Sequence, residues 1–341
     1  MIVDRYYYNQ LNKVEKVIYK AFYEGVMAHQ DIIPIPVKGN LSQEVFTKIF
    51  SALTRDNPLI YYLNQSACKF AQDALGHIAI CPQYFFSKEK IKVYNRKIEQ
   101  KVNELAAHLH LTEGTDYDKA LKVHDWLCQN VTYDQQGHDM SDPVRVIMTH
   151  NIIGVFAHKC AQCEGIAKAV KVLLNAVDVK CIVAIGMADS KKEKGPHAWN
   201  IVNINGTAYH MDVTWDIGVR PLGMSSFCYD YFILSDEFVY VDHTVDNKLP
   251  VCSSMKMNYF TKNRTVFTLK IQLLAYLEKG LSFGQKEFYI RLDGKLKNPK
   301  TSEIIREFIL KRIWETEKKS VQIQYSENKT IGTCWVKIRQ H

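Results

Sequence analysis

The sequence predicts an α+β fold, on three observations. Apolar residues recur at helical spacing through most of the first 130 residues. A helix opening at Cys163 is followed by strand-like runs divided by Asn205-Gly206, and the last 80 or so residues alternate helix and strand. At 341 residues the chain exceeds one ordinary core, and roughly 150 residues per domain suggests two or three units. The expected division is a mainly helical accessory region over 1–110, a core over 111–260 and a basic α/β domain over 261–341.

The elements follow in order. "NQLNKVEKVIYKAFYEGV" carries a helical apolar stripe, and "IIPIPVK" is too Pro-rich for a central strand but suits an edge. "LSQEVFTKIFSALTRDNP" reads as a second helix, stopped at Asn57-Pro58. A long helix is expected from Lys88 to His108, and Thr115 with Asp118 three residues on resembles a capping box for the next one. From Cys163, the residues Ile166, Ala169, Val170, Leu173, Leu174 and Val177 form one buried stripe. "CIVAIGMA" reads as a short buried strand and "DSKKEKGP" as a polar loop. "HAWNIVNINGTAYHMDVTW" reads as two strands joined at Asn205-Gly206, the strongest short hairpin signal. Beyond residue 260, "TLKIQLLAYLEKG", "EFYIRLD", "TSEIIREFILKRIWE", "SVQIQYS" and "IGTCWVKI" read helix, strand, helix, strand, strand.

Composition narrows the function classes. Hydrophobic residues make up 47% and charged residues 23%, which argues against disorder. The N-terminus lacks the basic start and apolar core of a signal peptide, and no stretch approaches 18 uncharged apolar residues. No membrane association is expected, and a cytoplasmic location is. The nine cysteines, an odd number scattered along the chain, argue for a reducing compartment rather than a disulfide framework. Residues 264–341 hold 16 Lys or Arg against 8 Asp or Glu, so the net charge of +8 belongs to the C-terminal part. Its basic residues alternate with acids on helices, so a solvated surface is the plain reading. An acidic partner is a second one, and nucleic acid is not expected.

The pair Cys160 and Cys163 in "HKCAQCEGIAKA" admits three readings: a metal clip, a redox pair, or one nucleophile beside a bystander. Zinc needs two further ligands at a recognised spacing, and neither His158 nor Cys181 supplies one. A thioredoxin-like pair needs a preceding βαβ strand, for which "IIGVFAHK" is a poor candidate. A thiol in the first turn of a helix feels the positive end of the helix dipole, which favours the thiolate. If Asn205 and Gly206 are the two loop residues, Trp199 faces Asp212 across the hairpin. His197 then shares their face as the diagonal neighbour of Asp212. His197 could take the thiol proton while Asp212 fixes the imidazole tautomer. His210 lies on the same face and competes with His197; Asp216 competes with Asp212. Gly165 in a first helical turn costs about 1 kcal/mol against Ala, which suggests a close approach by substrate or another backbone. Trp199 either walls the site or is an ordinary core residue, and the Cys163 N–H is a natural oxyanion donor.

"HNIIGVFAHKCAQCEGIAKAVKVLL", "GPHAWNIVNINGTAYHMDVTWD" and "YDYFILSDEFVYVDH" together resemble the bacterial branch of the transglutaminase-like superfamily, over roughly residues 118 to 260. The resemblance implies a papain-like core in which a Cys-bearing helix packs on an antiparallel sheet. It also implies Cys163 as nucleophile, His197 as base and Asp212 as orienting carboxylate. The motif "HAWN" favours His197 over His210. Members commonly carry an aromatic where this chain has Ile166. The second oxyanion donor is usually an aromatic upstream of the Cys, for which Tyr133 is the candidate with Trp126 behind it. The superfamily includes transglutaminases, peptidases, deamidases and inactive members. The expectation is acyl transfer on peptide or protein amides through a thioester, with hydrolysis favoured over crosslinking and with no metal or organic cofactor. The alternative is a catalytically silent module whose basic C-terminal domain holds an acidic partner.

Overall fold

In a computed structural model that describes residues 5–136, 142–190 and 193–340, the chain divides into two units. The first comprises Met1–Met187, Gly195–Gly206 and Val245–Leu249; the second comprises Ala188–Lys194, Thr207–Thr244 and Pro250–His341.

Side-chain caps set the helix boundaries of the first unit. α1 (Tyr6–Gln10) is followed by α2 (Lys13–Ala28), which starts at a capping box between Asn12 and Glu15. The carboxylate of Asp56 accepts the Tyr7 and Tyr8 N–H groups at 3.1 and 2.8 Å, so an acid ending one helix holds the start of another. β1 (Ile33–Lys38) precedes α3 (Gln43–Asp56), β2 (Lys69–Gln72) and β3 (His77–Cys81). These strands form a sheet in the order β1-β3-β2, so the Pro-rich strand lies at an edge where a missing N–H costs nothing.

α4 (Lys88–His108) spans the expected range, and α5 (Asp116–Asn130) begins at the Thr115–Asp118 capping box. Then come β4 (Thr132–Tyr133), α6 (Pro143–Thr149), a π-helical turn over Gly154–His158, and β5 (Cys160–Ala161). β4 and β5 pair in parallel, with Thr132 opposite Cys160 and Tyr133 opposite Ala161.

α7 (Cys163–Ala176) buries Ile166, Ala169, Val170, Leu173 and Leu174, the four larger side chains each on the order of 1.5–3 kcal/mol of apolar burial. β6 (Cys181–Ser190) and β7 (Glu193–Ile204) are sheet neighbours. α7 is fastened to them by Lys171 Nζ, which donates to the Cys181 carbonyl at 2.7 Å, and by Asn200, which donates to the Ala167 carbonyl at 2.9 Å. The cysteine-bearing helix thus packs on strands, as expected. Of the run expected as a polar loop, 189–196, residues 189–190 and 193–196 are strand. The strands reach Ser190 and resume at Glu193, and Lys191 and Lys192 lie outside the described residues.

In the second unit, β8 (Thr207–Met211) pairs antiparallel with β9 (Phe232–Leu234), and α8 (Val213–Val219) lies between them in sequence. The run "DVTW", expected as strand, is the start of this helix. α9 (Asp236–Val239), β10 (His243–Val245) and α10 (Tyr259–Lys262) follow. The remainder is β11 (Val266–Phe267), α11 (Lys270–Ser282), β12 (Glu287–Leu292), α12 (Lys300–Glu317), β13 (Val321–Asn328) and β14 (Thr333–Gln340). The strands form a sheet in the order β11-β12-β14-β13, over a core that includes Leu273, Leu277, Phe288, Ile305, Ile309 and Val336. Within this unit, Tyr289 and Thr333 hydroxyls both donate to the buried Asp230 carboxylate at 2.6 Å. Burial pushes the Asp230 carboxyl up from the usual range. Among the described residues no helix is long and apolar enough to cross a membrane.

Candidate active site

Cys163 is the first residue of α7, after Gln162 in an extended backbone conformation. The helix starts here because the preceding residues are committed elsewhere. Lys159 adopts the left-handed region at φ 53°, and Cys160 and Ala161 pair with β4. Gln162 donates its backbone N–H to Thr149 O at 2.9 Å and its side-chain amide to Asp134 O at 3.1 Å. The Asp134 carboxylate is in turn gripped by Arg145, at 3.1 Å from Nε and 2.7 Å from Nη2. Arg145, Asp134 and Gln162 therefore form a clamp at the foot of α7 that sequence spacing did not reveal.

The Cys163 side chain is buried in a small cluster with Ala167, Val183 and Ala198, against which Tyr133 and Ile185 pack. The parallel β4–β5 pair is what brings Tyr133 there. Trp126 is buried on α5 and is not a member of that cluster. Gly165 is explained by another backbone rather than by an open pocket. A Cβ at this position would lie 2.5 Å from Thr149 O and 2.9 Å from Asn151 O. Cys160 is half-buried, and both thiols of the pair are free. Among the described residues, no group of three His, Cys, Asp or Glu ligand atoms includes either of them.

On β7, His197 and Trp199 are buried and stack, with ring centroids 6.0 Å apart and planes 16° from parallel. They share a face, as their spacing requires. The strand ends at Ile204, and Asn205 and Gly206 both take positive φ, 51° and 85°, as a type I′ turn demands.

Asp212 lies in the second unit, where it is not a strand residue but the N-cap of α8. Its Oδ1 accepts the Trp215 N–H at 3.1 Å. Its Oδ2 lies 3.2 Å from His243 Nε2, and His243 Nδ1 lies 2.6 Å from Asp242 Oδ1. The Tyr231 hydroxyl donates to the other Asp242 oxygen at 2.7 Å. The Trp215 ring packs on His243 at 4.5 Å between centroids. His243 ends the motif "YDYFILSDEFVYVDH", and no spacing rule links it to Asp212 from 31 residues away. The two competitors have partners of their own. His210 Nε2 is 2.8 Å from Asp236 Oδ1, and burial holds its imidazole below the ordinary range despite that carboxylate. Asp216 accepts the Tyr231 N–H at 2.9 Å.

Residues 103–213 match the family model of the transglutaminase-like superfamily. The chain is similar to kyphoscoliosis peptidase of Mus musculus, 22% identical over 168 residues, which are 44% of this chain and 24% of that protein. It is similar to the Homo sapiens kyphoscoliosis peptidase at 23% over 179 residues, 47% of this chain and 26% of that protein. The chain thus spans about a quarter of the length of the curated relatives it matches. A solved TGase structure aligns with a TM-score of 0.33 and 13% identity, covering 57% of this chain and 53% of that one. The cysteine-bearing helix and the "HAWN" strand both lie inside the span, residues 103–213, that matches the transglutaminase-like superfamily.

Proposed function

We propose that the chain is a thiol-dependent acyl-transferase acting on peptide or protein amide bonds, with hydrolysis favoured over crosslinking. The observation that carries this reading is the placement of Cys163. It opens α7, where the helix N-terminus favours negative charge on sulfur, and Tyr133 packs against its cluster. The family match and the printed name of the two peptidase relatives support the same chemistry.

In this reading His197 takes the Cys163 proton and the sulfur attacks the amide carbonyl carbon. The tetrahedral oxyanion accepts hydrogen bonds from the Cys163 N–H and, as second donor, the Tyr133 hydroxyl. Collapse breaks the C–N bond, His197 protonates the leaving amine, and a thioester remains. A water deprotonated by His197 then releases the acid and restores the thiol. Asp212 orients the imidazole, and Asp212 is itself held by Trp215 N–H and His243. Residues 111–260 form the core in this scheme, with 1–110 accessory and 261–341 a basic domain suited to an acidic partner. The setting is a reducing, cytoplasmic one.

The test is the alkylation rate of Cys163 at neutral pH, read by mass spectrometry on the full chain, in wild type and His197→Ala. A fall of at least about tenfold in the variant, with the buried Cys228 unreactive in both, supports the nucleophile–base pair. Equal rates reject it, and then the silent binding module stands. Incubation of a protein substrate with a fluorescent amine separates crosslinking, which incorporates the label, from hydrolysis, which does not.

A further inference from the structure

We propose that His210, Asp236 and Cys252 form a structural site for a zinc-like divalent metal ion, separate from the reacting thiol. The three donors come from β8, from the first residue of α9 and from the segment after β10. One ring nitrogen of His210, one carboxylate oxygen of Asp236 and the Cys252 sulfur lie within 4.8 Å of one another. His210 and Cys252 are buried, and Asp236 is partly exposed, so one flank of the cluster reaches solvent.

The donors are held before any ion arrives. Asp236 N–H donates to the Cys252 carbonyl at 2.7 Å, and Cys252 N–H donates back to Asp236 Oδ2 at 3.1 Å. The other oxygen, Oδ1, lies 2.8 Å from His210 Nε2. The edge of the His210 ring is packed at 77° against Tyr240, which limits its rotation. Imidazole nitrogen, carboxylate oxygen and thiolate sulfur are the donor types of tetrahedral zinc sites, and water from the open flank completes four.

Charge favours the ion as well. A cysteine without a metal or a neighbouring positive charge is a neutral thiol at neutral pH, so without a metal the site holds a thiol and a single carboxylate. A divalent cation displaces the thiol proton to solvent, and its two charges are then matched by one thiolate and one carboxylate, leaving a neutral buried cluster. The consequence is a clasp joining residues 250–252 to β8 and α9, three chain segments that share little secondary structure.

The experiment uses the full chain, stripped with chelator and titrated with Co²⁺ and then Zn²⁺. One equivalent of Co²⁺ with a sulfur-to-cobalt charge-transfer band is expected, displaced by Zn²⁺. The band is expected unchanged in Cys163→Ala, lost in Cys252→Ser, and formed with affinity lower by about tenfold or more in Asp236→Asn. Chelator should also lower the wild-type melting temperature, a reading that does not depend on any variant folding. Absence of a stoichiometric band in wild type overturns the proposal, as does a band that survives Cys252→Ser. A band that follows Cys163 instead places the metal at the proposed nucleophile and rejects this site.

Discussion

His243 Nε2 lies 3.2 Å from Asp212 Oδ2, and the same imidazole meets Asp242 through its other nitrogen. Asp212 is almost fully buried, and its Oδ1 also accepts the Trp215 N–H. Removing the imidazole leaves two buried carboxylates without their shared partner. His243→Ala is therefore expected to destabilise the chain by about 2–4 kcal/mol, read as a lower urea midpoint. His243→Gln, which keeps a donor toward Asp212, should recover part of that loss. A His243→Ala protein as stable as wild type would show that the pair holds nothing.

Gly165 supplies a second prediction from geometry alone. The Thr149 and Asn151 carbonyls approach its Cα too closely for any side chain, so Gly165→Ala must move backbone on α7 or in 149–151. A loss of about 2 kcal/mol or more is expected. Gly218, near the end of α8, has open space where a Cβ would go. Gly218→Ala should gain about 0.5–1 kcal/mol through helix propensity and a less free unfolded chain. Similar effects at the two sites would refute the steric account.

What could be read from the sequence followed from local rules. The Thr115–Asp118 box, the α7 stripe and the Asn205-Gly206 turn each satisfy a backbone requirement within a few residues of themselves, and each stands where its spacing put it. Asp212 shows where such rules stop. Val213, Thr214 and Trp215 are strand-formers by propensity, yet Asp212 Oδ1 captures the Trp215 N–H and starts a helix. The β4–β5 pair is two residues long and has no periodicity to detect, although it places Tyr133. The clamp of Arg145 on Asp134, like His243 on Asp212, joins residues whose separation carries no motif.

That clamp is open to test. Arg145 grips Asp134 with two nitrogens, and the Asp134 carbonyl takes the Gln162 amide at the foot of α7. Arg145→Lys keeps the charge but loses the planar fork. A lower urea midpoint is expected, with faster amide exchange across 132–134 and 160–162 and little change in the C-terminal sheet. Uniform exchange changes along the chain would mean that the clamp has no local role.

Glu164, next to the proposed nucleophile, gives the pH dependence. Burial pushes its carboxyl up, but Lys168 at 2.8 Å and His150 at 3.6 Å outweigh burial and bring it from 4.5 down to about 2. A carboxylate depressed in the folded state binds fewer protons there than in the unfolded chain. Its contribution is complete above the unfolded value and is lost as pH falls from about 4.5 toward about 2. The side chain is 31% exposed, so after screening the contribution is on the order of 1–2 kcal/mol. Glu164→Gln should be less stable than wild type at neutral pH by that amount, and the difference should shrink as the pH is lowered through about 3.5. Urea midpoints at neutral pH and at about pH 3.5 measure it. A gap between the two proteins that stays constant with pH would assign the stabilisation to packing of the Glu164 stem rather than to its charge.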